Sequence, residues 1–295
     1  MIIAINYADE KFVKQQKLNT YTAYEKGKVD IVFEYSPEDI EDCFYKKNHK
    51  ILSNSRGAGL WLWKPYIIDK ALSKIEDGDY LFYCDSGAYY INDIRFLIDV
   101  LESNKIDIMP FELPLLEREW TKKELFEIMN YQEFDNNQVC ATYLLIKKTA
   151  NSVNFIKSWL LMCQDERLLS PEYFIKHANF EGFISHREDQ SILSVLCRKY
   201  ELQTFRDPSQ LGIRPWEYAW LNNYEGVYKR WICRPLSYPA STYPQILVSY
   251  RNSDPLLFSK KEKMKNLLNK IGLLKLYFCC EKLRKECNLL EMSVG

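Results

Sequence analysis

Gly78-Asp79-Tyr80-Leu81-Phe82-Tyr83-Cys84-Asp85-Ser86-Gly87 decides the fold class of this chain. Residues 80–84 form an unbroken apolar run of strand length, closed by turn residues at both ends. Such a run reads as a strand buried on both faces, the kind found in an α/β sheet that helices cover. It stops abruptly at Asp85, which puts a carboxylate at the strand's carboxyl end, the edge of an open α/β sheet where ligands bind. A strand-to-turn junction also favours Asp and Gly for local reasons, so the tip alone fits either a plain turn or a site.

The sequence before this stretch supports the same class. Residues 2–7 (Ile-Ile-Ala-Ile-Asn-Tyr) read as a buried strand, residues 11–26 as a helix and residues 29–33 as a second strand, a β-α-β start. Pro37 opens a helix-like stretch, and Gly57-Ala58-Gly59 and Pro65 punctuate the chain before helical spacing over residues 66–75. Further on, the pattern predicts a helix over 92–101, a strand over 106–110, a helix over 121–129 capped by Thr121 with Glu124 three residues later, and a strand over 139–146. Helical stripes follow over 150–163 and 189–200. Residues 206–250 are rich in Pro, Trp and Tyr with weak periodicity, and read as a lobe beside the site. The expected organisation is one α/β domain over residues 1–250 and a basic amphipathic helical extension over 251–295.

Composition narrows the function classes. Lysine plus arginine and aspartate plus glutamate both total 40 in 295 residues, so no global charge points to nucleic acid. Nine cysteines without a C-x-x-C pair, and only three histidines, argue against a disulfide framework or a zinc site. The first residues lack the pattern of a signal peptide and no run of eighteen apolar residues occurs, so a reducing cytoplasm is the expected compartment. Near the end, Lys260, Lys261, Lys263, Lys265, Lys270, Lys275, Lys282, Arg284 and Lys285 stand against Glu262, Glu281 and Glu286, a local net charge of about +6. Met264, Leu267, Leu268, Ile271, Leu274 and Phe278 share one helical face, with Gly272 a break point. This pattern fits either a docked helix with a solvated lysine face or one lying on an anionic lipid surface, at the inner face of the cytoplasmic membrane.

Three stretches carry a resemblance. Residues 54–68 (Asn-Ser-Arg-Gly-Ala-Gly-Leu-Trp-Leu-Trp-Lys-Pro-Tyr-Ile-Ile), the Asp85-Ser86-Gly87 tip, and residues 186–194 (His-Arg-Glu-Asp-Gln-Ser-Ile-Leu-Ser) resemble bacterial glycosyltransferases of the nucleotide-diphospho-sugar transferase superfamily, found among capsule and lipopolysaccharide enzymes. The resemblance covers about residues 1–210. It implies a GT-A-like fold with a mostly parallel Rossmann-type sheet flanked by helices. It also implies transfer of a hexose from a nucleotide sugar, a UDP-sugar above all, to a glycan or lipid-linked glycan acceptor.

Residue by residue, the resemblance places Asn6, Tyr7 and Ala8 at the nucleotide, with Tyr7 stacking on the base. Arg56 and Lys64 fall at the diphosphate, and Asp85, Ser86 and Gly87 at the position of an Asp-x-Asp motif. Asp85 then holds a divalent cation, Mn²⁺ or Mg²⁺, although Gly87 replaces the second acid and no histidine follows His186. Asp189, with Glu188 second, becomes the general base of an inverting reaction. In a retaining one, Asp189 and Gln190 bind sugar hydroxyls. A carboxylate at a helix start also serves as a plain cap. Trp120, Lys122, His186 and Gln190 are acceptor-side candidates. Trp61 and Trp63 read as core packing at strand-like alternation or as a lid over the donor. Two rival readings remain: a nucleotidyltransferase of the same superfamily, which needs a basic glycine-rich loop where Tyr7-Ala8-Asp9-Glu10 stands, and a non-catalytic carbohydrate-binding protein.

Overall fold

The computed structural model describes residues 1–172, 178–215, 217, 237–251 and 253–274. Two compact units divide the chain, Met1–Ser249 and Tyr250–Gly295. The first is built on a six-stranded sheet of β1 (Ile2–Tyr7), β2 (Ile31–Tyr35), β3 (Tyr80–Cys84), β5 (Ile108–Leu116), β6 (Asn137–Lys147) and β7 (Phe205–Arg206), in the order β2-β1-β3-β6-β5-β7. β1 runs parallel to β2 and β3, and β7 runs parallel to β5, while β6 is antiparallel to both β3 and β5. Three of the five pairings are therefore parallel. A second, two-stranded sheet pairs β4 (Ala88–Tyr90) with β8 (Leu247–Ser249).

Strand alternation assigns the two faces. Ile3, Ile5, Leu81, Tyr83 and Ile146 point to one side, and Ala4, Phe82, Cys84, Met109 and Leu145 to the other. Helices α2 (Trp63–Leu72), α4 (Ala150–Cys163) and α5 (Glu188–Lys199) cover the first side; α1 (Val13–Glu25) and α3 (Arg95–Ser103) cover the second. Both faces of β3 are buried, as its apolar run requires.

Several elements depart from the sequence expectation. Thr121 does not cap a helix: the helix there is Lys123–Ile128, its N-cap is Lys122, and Thr121 is buried with its hydroxyl accepting from Gln138 Nε2 at 3.0 Å. β5 and β6 extend beyond the expected strands because they pair with each other around a register shift between Pro110 and Glu112. Helix α2 begins three residues early, so Trp63 and Lys64 lie in a helix and not in strand-like alternation. In the Pro, Trp and Tyr-rich region, β7, a short helix (Gln210–Ile213) and β8 are described, and residues 216 and 218–236 lie outside the described residues.

The turn before α2 holds the longest run of positive φ among the described residues. Gly57, Ala58, Gly59, Leu60 and Trp61 all have positive φ, from 51° to 100°. Leu60 N donates to Arg56 O at 2.9 Å and Trp61 N to Gly57 O at 3.2 Å, which makes one turn of left-handed helix. L-residues resist this hand at about 1–2 kcal/mol each, and glycine at 57 and 59 limits the cost to Ala58, Leu60 and Trp61. Glycine also supplies room, since a Cβ on Gly59 would lie 2.8 Å from Leu52 Cα. Substituting Gly59→Ala is accordingly expected to lower stability by about 1–3 kcal/mol, read as a drop in the urea midpoint at unchanged m-value.

Candidate functional site

β1 has β2 on one side and β3 on the other, so the order of the chain reverses there, and the carboxyl ends of β1 and β3 form the edge where an open α/β sheet takes its ligands. Polar side chains fasten these ends together. Ser86 Oγ donates to Tyr7 O at 2.6 Å, and Asn19 Nδ2 donates to Ala88 O at 2.9 Å while its Oδ1 accepts from Asn6 Nδ2 at 2.9 Å. Asn6 is fully buried and Gln16 Nε2 donates to its Oδ1 at 3.0 Å, so it braces the strand end. Tyr7 and Ala8 are buried too, and the Tyr7 ring is stacked on Trp63 at 3.8 Å between centroids, which occupies one ring face.

Lys64 joins three elements. It extends from the first turn of α2 into the interior, donates to Ala141 O of β6 at 3.0 Å, and places Nζ 3.4 Å from Asp85 Oδ1 and 3.3 Å from Asp189 Oδ2. The Lys64 side chain is only 4 % exposed, against 32 % for Asp85. Burial pushes the Lys64 ammonium towards neutrality, but Asp189 and Asp85 outweigh it and raise its pKa above the usual lysine value. Asp189 goes the other way from an ordinary carboxylate: burial raises it to about 7 although Lys64 opposes the rise, and Asp85 and Glu188 add to it. One ammonium faces two carboxylates, and the more deeply buried carboxylate is the one that keeps its proton. Tyr83, absent from the sequence-derived site, donates its hydroxyl to Asp85 Oδ1.

Arg56, on the other side of the left-handed turn, points outward. Its side chain is 54 % exposed, and its Nε donates to Glu188 Oε1 at 2.6 Å. Glu188 is buried at the start of α5 with φ at 33°, a backbone region that non-glycine residues rarely occupy. Burial raises the Glu188 carboxyl and Arg56 partly offsets the rise. The turn thus sends two cations in different directions, and consecutive carboxylates of α5 meet both.

The remaining candidates sit in supporting positions. Gln190 Nε2 donates to Gln138 Oε1 at 2.7 Å, and Ser194 Oγ accepts from Val139 N at 2.8 Å, so the first turns of α5 are fastened to β6. Trp120, expected as an aromatic platform, is 1 % exposed and lies under the Arg187 guanidinium at 4.2 Å. Lys122 is buried, donates to Ser170 O at 2.5 Å, and is lowered by burial to about 8. His186 is buried with Nε2 2.9 Å from Leu168 O, and burial together with Lys122 lowers it to about 3. Trp61 lies 5.8 Å from the Arg56 guanidinium, and Trp63 Nε1 donates to Gly57 O at 3.0 Å, so both indoles pack against the turn.

The donor set is a poor fit to a protein-built cation site. Asp85 Oδ1 is already met by Tyr83 and Lys64, Gly87 offers no side chain, and among the described residues no group of three or more His, Cys, Asp or Glu could hold a metal ion. A divalent cation beside Asp85 would also confront the Lys64 ammonium a few ångströms away.

No family model matches this chain, and no curated protein matches it either. Among solved structures it is similar to mouse xyloside xylosyltransferase 1, with 9 % identity, 84 % of this chain and 97 % of that one covered, and a TM-score of 0.45. It is also similar to the galactosyltransferase LgtC in complex with donor and acceptor sugar analogues, with 14 % identity, 86 % and 88 % coverage and a TM-score of 0.43. A glycosyltransferase involved in glycosylation of the major capsid of PBCV-1 aligns at 10 % identity over 88 % of this chain and 98 % of that chain, with a TM-score of 0.42.

The raised Asp189 carboxyl has a measurable consequence for stability. As pH rises from the ordinary value of 3.8 to about 7, the unfolded chain releases this proton and the fold retains it. The folded state then binds more protons than the unfolded state, so this group's contribution to stability declines across that window. Urea midpoints taken across the window are expected to fall with pH in the parent, and to lose that component of the slope in Asp189→Asn.

Proposed function

We propose that this chain transfers a hexose from a nucleoside-diphosphate sugar, a UDP-sugar, to a hydroxyl of a glycan or lipid-linked glycan acceptor of the kind used in bacterial surface polysaccharides. The observation that carries the reading is the cluster of Lys64 with Asp85 and Asp189 at the carboxyl end of β3, with the more exposed Arg56 paired to Glu188 at the neighbouring position of α5. The similarity of residues 54–68, 85–87 and 186–194 to the superfamily supports it from the sequence side.

In this proposal the acceptor oxygen attacks the anomeric carbon, the bond from that carbon to the diphosphate oxygen breaks, and the diphosphate leaves with the electron pair. Stabilising the charge on that leaving group is the main task of the site. Arg56 is the exposed cation of the pair, so an incoming diphosphate reaches it first and competes with Glu188 for the guanidinium. Lys64 acts from inside as a fixed positive charge that also holds Asp85 at the strand tip. Asp189 takes the acceptor hydroxyl's proton in its ionised form, and a pKa of about 7 keeps a useful fraction ionised at neutral pH. Ser86 and Gly87 line the donor side, where glycine lets the ligand approach the backbone. The divalent cation implied by the resemblance is not part of this proposal, because the donor set around Asp85 does not suit it.

Kinetics and ligand binding test the reading. The value of kcat/KM for UDP release with an accepted donor is expected to rise with pH through about 7. Asp189→Asn should lower kcat by about 10²–10⁴-fold, with a smaller change in KM. UDP release is also expected to persist in EDTA at the rate seen with added Mn²⁺. A strict Mn²⁺ requirement would remove the metal-free part of the mechanism and leave donor binding standing, whereas absence of binding to any nucleotide sugar in a thermal-shift screen would remove the reading itself.

A further inference from the structure

Helix α6 (Pro255–Lys270) and the residues just after it carry the largest concentration of exposed apolar side chains among the described residues. Of the sixteen large apolar side chains exposed among the described residues, six lie between Leu256 and Leu273: Leu256, Leu257, Met264, Leu267, Ile271 and Leu273, at 43–74 % exposure. Isolated exposed leucines are ordinary, but a contiguous set is not. Leu257, Met264 and Ile271 recur at seven-residue steps, and Leu256 and Leu267 lie beside them, so five of the six share one stripe about 100° wide. The expected apolar face is therefore turned outward at Met264, Leu267 and Ile271, while Leu274 is buried and Phe278 lies outside the described residues.

The charges on the helix follow the same division. Lys260 sits within the stripe, and Lys261, Lys263 and Lys270 flank it, all exposed. The helix's one acid, Glu262, is on the opposite side, buried and 3.2 Å from Lys265. Asp254 caps the helix by accepting from Leu257 N at 2.8 Å, and Gly272, at φ 73°, follows its end. No helix among the described residues is long and apolar enough to cross a membrane.

We infer that α6 is a docking surface for an anionic lipid bilayer, on which it lies in the plane of the headgroups. The leucines, Met264 and Ile271 enter the boundary between headgroups and acyl chains, and the lysine stems run along it with their ammonium groups at the phosphates. Charge selects this occupant over a second copy of the chain, because two such faces brought together would oppose four exposed lysines with four others. Lys275, Lys282, Arg284 and Lys285, named with the basic extension, lie outside the described residues and carry none of this inference.

Co-sedimentation of the full chain with vesicles tests it. Vesicles with about a third phosphatidylserine should bind the chain at least about tenfold more tightly than phosphatidylcholine vesicles, and added salt should weaken the binding. The triple change Leu256→Ser, Leu257→Ser and Leu267→Ser, and separately Lys260→Glu with Lys263→Glu, should each abolish the difference at an unchanged melting temperature. All five side chains are exposed, so folding is not at stake. Equal binding to both vesicle types, binding untouched by either set of changes, or a dimer that the leucine changes dissolve would each overturn the inference. Donor-sugar binding, measured on the same variants, reports on the transfer reaction independently.

Discussion

One buried ammonium serving two carboxylates is the constraint from which the rest of this site follows. Lys64 leaves α2, reaches the β6 backbone at Ala141 and lies between Asp85 and Asp189, so a single side chain cross-links the end of β3, the middle of β6 and the start of α5. Taking these charges out of water is costly, and removing one partner of such a group leaves a buried charge uncompensated, an effect worth about 3–5 kcal/mol. The arrangement therefore ties together three elements that local sequence does not connect. It also leaves a charge mismatch of one, which the protein meets by holding a proton on Asp189 up to about pH 7.

The left-handed turn explains how two cations eight residues apart come to have such different surroundings. A right-handed turn over residues 57–61 would continue smoothly into α2 and carry Arg56 along the same helix. Reversing the hand over five residues sends the chain back on itself, with Leu52 against Gly59 and the Trp61 indole against Gly57. Lys64 then starts inside the fold, and Arg56 stays at its surface over Trp61. Strain at Ala58, Leu60 and Trp61 persists because packing and the Trp63 Nε1 bond to Gly57 O hold it in place.

Much of the frame was legible in the sequence, because it depends on local pattern. The β-α-β start, the doubly buried β3 and the stripe over Ala150–Cys163 are set by apolar periodicity, and the structure follows them. Thr121-x-x-Glu124 is a sound capping pattern, yet Gln138 engages the Thr121 hydroxyl from strand β6, and no local rule anticipates that. Arg56 and Lys64 were identifiable as a pair of cations flanking a glycine-bearing turn. Their division into one exposed and one buried side chain was not legible, because it depends on the hand of the turn. Tyr83 escaped notice for a related reason: within an apolar strand it reads as core, and only the strand's end brings its hydroxyl to Asp85. His186 and Trp120 show the converse, since residue types that suggest chemistry can be spent on packing, as their burial shows.

A fixed ammonium and an exchangeable metal ion place different demands on a site that handles diphosphate. A metal ion binds with the ligand and can leave with it, so the protein need supply only carboxylates, and these are charged and hydrated when the site is empty. Lys64 cannot leave, so its charge must be balanced at all times, and Asp85 and Asp189 are committed to it before any ligand arrives. An internal charge that is already balanced contributes little new attraction to an anion, so in the proposed reading the gain on binding comes from Arg56, with phosphate taking the place of its partner Glu188. Glu188 then becomes a buried carboxyl without its cation, at a position where burial already raises its pKa, and taking up a proton relieves that charge. In the proposed reading, anion binding beside Arg56 and proton uptake by the first turn of α5 are thereby linked.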